Sequence, residues 1–170
     1  RTITTFNRHT HCPMITDTIK ELEHLLTFVP PALRHIPEPV FSHKPQPGKW
    51  SRKEMLGHLI DSAANNHQRF IRTRYENVPL LVYNQDRWNE LNYYAALPQE
   101  QLITFWTVYN QHLLELMKRI PESEHSKVCN TGGPTPVTLG WLINDYLVHM
   151  KHHLEQIIDD WSALKNENQY

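Results

Sequence analysis

Long apolar runs are missing from this chain of 170 residues: no stretch approaches the roughly 20 residues that a bilayer-spanning helix needs. No signal-peptide core opens it either, so a soluble, cytoplasmic protein is expected. Cysteine is scarce. Cys12 and Cys129 are the only two, and their separation gives neither a disulfide framework nor a zinc or redox spacing. Charge of one sign is lacking as well, with 17 basic against 18 acidic side chains and a net charge of −1. That balance offers no electrostatic footprint for nucleic acid or an anionic membrane. Internal repeats and a convincing strand pair are absent too, which leaves helices as the material of the fold.

Twelve prolines and twelve histidines are the conspicuous residues that are present. Residues 1–13, RTITTFNRHTHCP, are polar and aperiodic and are expected to form a flexible N-terminal extension ahead of a bundle domain over 14–170. His9, His11 and Cys12 in that extension are read as incidental. A first helix is expected from Thr16 or Asp17 through Ile19, Leu22, Leu25, Leu26 and Val29, ended or kinked at Pro30-Pro31. Residues 35–49, with four prolines and one glycine, read as an irregular crossing, and His24, His35 and His43 are assigned to solvent. Ser51-Arg-Lys-Glu54 is a capping box that opens a second helix running to about Arg74. Its apolar stripe is Met55, Leu56, Leu59, Ala63 and Phe70, with His58, Ser62, Asn65 and Arg69 along one margin. A long connection over 75–97, with helical turns around Asp86–Tyr93, is expected to lie as a lid on one bundle end. A third helix starts near Pro98 and stops at Pro121. After a loop over 121–137, a fourth helix covers 138–161.

That last stretch, TLGWLINDYLVHMKHHLEQIIDDW, organises the chain. Leu139, Leu142, Ile143, Tyr146, Met150, Ile157 and Trp161 share an apolar stripe, and His149 and His153 lie four apart at its margin, about 6 Å apart along the axis. His152 points to the polar side. Neutral imidazoles are good ligands for divalent transition metals, and three of them leave a coordination position open. His58, on the matching margin of the second helix, is the candidate third partner. Spacing leaves two readings open, a shared cation or three core-edge histidines satisfied by carbonyls or by one another. A His149–His152 pair would turn the site toward solvent.

The segment KWSRKEMLGHLIDSAANNHQRF, followed about ninety residues later by LGWLINDYLVHMKHHLEQI, resembles the DinB superfamily, including its YfiT-like branch of bacillithiol-transferase type. The resemblance rests on Trp50-Ser51 leading to His58 and Asp61, and on His149, His153 and Gln156-Ile157, and covers most of residues 15–162. It implies an all-α four-helix bundle in up-down-down-up order. It also implies a divalent metal, zinc or nickel, held by His58, His149 and His153 at the mouth of a cavity. The function so implied is a metal-dependent S-transferase whose partners are a small-molecule thiol and an electrophilic substrate. Hydrolysis of an amide or ester is the alternative, disfavoured because HMKHH carries no internal Glu to serve as base; a non-catalytic metal-binding bundle is the third reading. No nucleic acid or membrane partner is expected; a homodimer is allowed, with no stoichiometry fixed. Asp61 is expected either to orient a ligand imidazole or to be a solvated acid, and Arg69 to hold a substrate carboxylate or form an outward ion pair. Asn65 and Tyr146 are candidate pocket groups, Tyr146 alternatively simple core.

Overall fold

The computed structural model describes residues 15–167; the proposed extension over 1–13 lies outside them. Four long helices carry the fold: α1 (Ile15–His35), α3 (Arg52–Tyr75), α5 (Gln99–Lys118) and α6 (Leu139–Ile157). Between and after them come the short helices α2 (Glu38–Ser42), α4 (Gln85–Leu91) and α7 (Trp161–Glu167).

Cross-helix bonds fix the directions. Thr18 bonds Asn144 and Glu21 bonds Lys151, so α1 and α6 run parallel. Arg34 meets Glu100 while Glu23 meets Lys118, so α5 opposes α1. Phe70 packs edge-on to Tyr146, and His58 lies beside His153, so α3 opposes α6. The order is therefore up-down-down-up, with α1 and α3 on opposite corners and each packed against α5 and α6. Such an order demands long crossings, and the chain has them.

Apolar residues at helical spacing explain the core, in which Leu22, Leu33, Leu56, Phe70, Trp106, Leu113, Ile143 and Met150 are fully buried. α1 does not stop at Pro30-Pro31. Each proline removes one ladder hydrogen bond, but the last turn is held from outside. Gln99 donates to the carbonyls of Leu33 and Ile36, Arg34 forks onto Glu100, and Leu33 fills the core. The proline-rich crossing likewise contains a helix, α2, which drives Phe41 into the core. His24, assigned to solvent by its polar face, is half-buried against Phe28.

α3 begins as its capping box requires: Ser51 Oγ accepts from the Glu54 amide while the Glu54 carboxylate accepts from the Ser51 amide. α5 ends at Lys118, before Pro121, and the following loop forms a two-residue antiparallel pair, β1 (Val128–Cys129) with β2 (Val137–Thr138), which the sequence does not announce. Thr138 then caps α6 by accepting from the Trp141 amide. That helix ends at Ile157 rather than continuing to Trp161, because the chain reverses at Asp160 with a positive φ of 57°. Trp161 opens α7 and packs on Phe28.

Candidate metal centre

α3 and α6 run antiparallel in direct contact, which brings the histidine of one level with the histidine pair of the other. The ring centroids of His58, His149 and His153 form a near-equilateral triangle with sides of 5.0, 4.8 and 4.7 Å. Nε2 of His58 faces Nε2 of His149 at 3.1 Å. One ring nitrogen from each residue lies within 4.8 Å of the other two. A tetrahedral centre with metal–nitrogen bonds near 2.0–2.1 Å holds its ligand nitrogens about 3.3 Å apart. One edge of the triangle is already near that length, and the others are within 4.8 Å. Three nitrogens and no carboxylate make a donor set suited to zinc, nickel, iron or copper.

The rings are also in the right protonation state. Burial, reinforced by the repulsion of His149 and His153, pushes the imidazolium of His58 down to about 3. Burial and the neighbouring His153, His152 and Arg69 push His149 down to about 4, and burial and His152 lower His153 as well. At neutral pH all three therefore offer lone pairs.

Trp50, the residue before the α3 cap, packs its ring against His58 with centroids 5.0 Å apart and planes tilted by 35°. His149 Nδ1 lies 3.4 Å from Ser62 Oγ, one turn beyond His58. His153 is half-exposed and opens onto a cavity of about 510 Å³, whose walls include Trp50, Met55, Lys49, Gln85, Asp86 and Gln156. A neighbouring cavity of about 450 Å³ shares Pro45, Trp50, Met55 and Gln156 and extends the cleft toward His43. A larger cavity of about 800 Å³ lies toward the other end of α6, around Trp141 and Met117, away from the histidines. The cleft that His153 joins gives access to the candidate centre.

The remaining candidates lie outside the triangle of rings. Asp61 is 1 % exposed, not a solvated acid. Its Oδ1 accepts from Tyr94 Oη at 2.5 Å and from Asn92 Nδ2 at 2.9 Å, and burial, outweighing these bonds, raises the carboxyl to about 6. Asn65 donates to the carbonyl of Asp61 in its own helix. Arg69 gives two N–H groups to the carbonyl of Leu81 and lies over the ring of Tyr83, holding the 75–97 connection on α3 rather than making an outward ion pair. Tyr146 is core: its hydroxyl donates to Asn110 Oδ1 at 2.5 Å, within a buried pair. His152 faces solvent and bonds Gln156. Sequence reasoning gave no role to Lys49, Met55, Gln85 or Asp86 in the cleft. Lys49 lies in a loop, and Gln85 and Asp86 open a short helix in an aperiodic connection, so no periodicity would have placed them there.

The fold and the site together define a four-helix bundle with a three-imidazole geometry able to hold a metal ion. The DinB superfamily profile matches residues 18–157, and the chain belongs to that superfamily. Relatives from Bacillus cereus and Bacillus anthracis, each named "Putative metal-dependent hydrolase", are 23% identical over 154 residues, which cover 90% of this chain and 88% of theirs. Among solved structures, YfiT from Bacillus subtilis superposes with a TM-score of 0.76 at 18% identity, over 90% of this chain and 86% of that one. It is described as "a probable metal-dependent hydrolase with an unusual four-helix bundle topology". The likeness is one of fold.

Proposed function

We propose that the chain is a metal-dependent enzyme acting on small molecules, and that its reaction is S-transfer from a low-molecular-weight thiol to an electrophilic acceptor. The observation that carries this reading is the convergence of three neutral imidazoles beside an accessible cleft. His58, His149 and His153 would hold the divalent ion. Bound there, the ion supplies a positive charge that favours ionisation of a ligand at its open position. Because the donor set is wholly neutral, nothing in it offsets that charge before an anion arrives.

The choice of thiol over water follows from proton bookkeeping. A thiol ionises near 8.5 and needs little help at neutral pH, whereas water starts far higher and gains most from a general base. Among the described residues no carboxylate hydrogen-bonds any of the three rings and Glu155 faces solvent, which leaves the exposed Asp86 in the cleft wall as the carboxylate a hydrolytic route would have to use. The chain's own residues then do the binding. Trp50 and Met55 give the acceptor an apolar wall, and Gln85 and Gln156 offer amide groups along the same cleft. Hydrolysis is kept as the second reading because the relatives' names point to it.

A panel assay on zinc- or nickel-loaded protein separates the two. Loss of free thiol that requires an added electrophile supports transfer. Ester or amide cleavage at the same rate with and without thiol refutes transfer and leaves hydrolysis.

A further inference from the structure

Three polar atoms in this neighbourhood are buried without a hydrogen-bond partner among the described residues: Nδ1 of His153 on α6 and, on α3, the pair Nδ1 of His58 and Oδ2 of Asp61. The α3 pair belongs to residues one turn apart, a spacing that sets Cβ atoms about 5–6 Å from each other. Unpaired buried groups are costly, at about 1–3 kcal/mol each. A potential donor and a potential acceptor orphaned one turn apart on the same helix point to a state that uses both.

The other oxygen of Asp61 is already spoken for. Tyr94 and Asn92 both donate to Oδ1, and the Tyr94 ring lies flat over Gly57, the residue before His58. This clasp holds the carboxylate in place and leaves Oδ2 to a further donor. Meanwhile Nε2 of His58 is turned to His149 at 3.1 Å, so one of those two nitrogens carries the proton between them. A cation there requires both lone pairs, and the proton of His58 must then reside on Nδ1. The same helix treats the neighbouring ring in the same way, with Ser62 Oγ at 3.4 Å from Nδ1 of His149.

We propose that Asp61 is the positioning residue of the centre, its Oδ2 accepting the Nδ1–H of His58 when Nε2 of that ring is given to the ion. The carboxylate thereby fixes the tautomer and tilt of the most buried of the three rings and makes it a stronger donor. This inference rests on the three-histidine reading above, and its test keeps the two apart.

The test is a zinc competition titration of the full chain against a chromophoric chelator, with Asp61→Asn, Tyr94→Phe and His149→Ala. Asp61→Asn keeps an oxygen for Tyr94 and Asn92 but sets an N–H against the His58 N–H, so zinc affinity should fall about 10–100-fold. Tyr94→Phe removes one of the two bonds that hold the carboxylate but keeps the acceptor itself, so its loss of affinity should be clearly smaller than that of Asp61→Asn. Equal affinity of Asp61→Asn and wild type overturns the proposal, as does an equal loss in Asp61→Asn and Tyr94→Phe. If His149→Ala binds zinc as tightly as wild type, the ligand set fails instead. The wild-type protein supplies a test independent of any variant. Long-range nitrogen–proton NMR spectra of the zinc-loaded chain should place the His58 proton on Nδ1, slow to exchange; a proton on Nε2 refutes the assignment.

Discussion

Adding one methyl group at Gly57 should cost the protein stability, against the usual sign for a helix. Mid-helix Gly→Ala ordinarily gains about 1 kcal/mol from chain entropy and propensity. At Gly57 an added Cβ would stand 2.2 Å from Cδ2 and 2.3 Å from Cγ of Tyr94. Carbon atoms prefer about 3.5–4.0 Å, so the ring must move by more than an ångström. Tyr94 is 5 % exposed and its hydroxyl bonds Asp61. Displacing the ring loses about 2–3 kcal/mol of burial, and the hydrogen bond to a carboxylate adds about 1.5–3 kcal/mol. Net of the propensity gain, Gly57→Ala should destabilise by about 2.5–5 kcal/mol. Urea unfolding followed by circular dichroism gives the value, and for a chain of this size the melting temperature should drop by about 5–20 °C. The double variant Gly57→Ala/Tyr94→Ala removes the clash and should be more stable than Tyr94→Ala alone by about 1 kcal/mol. A Gly57→Ala protein that melts at or above the wild-type temperature refutes the close-packed clasp.

Tyr146→Phe should cost about 1–3 kcal/mol, because it leaves Asn110 Oδ1 buried without its donor. Metal content should be unchanged in that variant, and loss of metal would put Tyr146 back at the site. Ser51→Ala removes the cap of α3 and should cost about 1–2 kcal/mol, read from the urea midpoint. The metal-free protein should also lose stability in acid. Folding holds His58 at about 3 and His149 at about 4, below their ordinary 6.5, so between those values the unfolded chain binds protons that the folded one refuses. That contribution is fully present above pH 6.5 and is lost as pH falls through the window. Urea midpoints at pH 7.5, 5.5 and 4.5 should show the fall, with a shallower one in His149→Ala; identical slopes would argue that the rings are not buried together.

Where local chemistry decided the structure, the sequence was readable. The Ser51–Glu54 box marks the start of α3, and Thr138 marks that of α6. Apolar spacing placed the faces of all four long helices, and the margin of α3 that carries His58 does meet the margin of α6 that carries His149 and His153. Where distant contacts overruled local preference, the reading failed. Pro30-Pro31 signals a helix end, yet Gln99 and Glu100, some 65 residues on, hold the extra turn. For Asp61 the sequence leaves a ligand-orienting carboxylate and a solvated acid equally open, because its covering residue, Tyr94, comes from an aperiodic connection. The cleft was legible only in outline: the second and fourth helices and the 75–97 connection supply walls through Met55, Gln156, Gln85 and Asp86, but the 45–50 loop joins them only in the fold.

The centre itself is tested most directly by loading metal-free protein with zinc, measuring the stoichiometry, and recording X-ray absorption at the zinc edge. One ion per chain is expected, with three imidazole nitrogens at about 2.0–2.1 Å and an imidazole count that drops in each of His58→Ala, His149→Ala and His153→Ala. An unaltered coordination shell in any of those variants, or no stoichiometric zinc in the wild-type chain, contradicts a three-histidine centre.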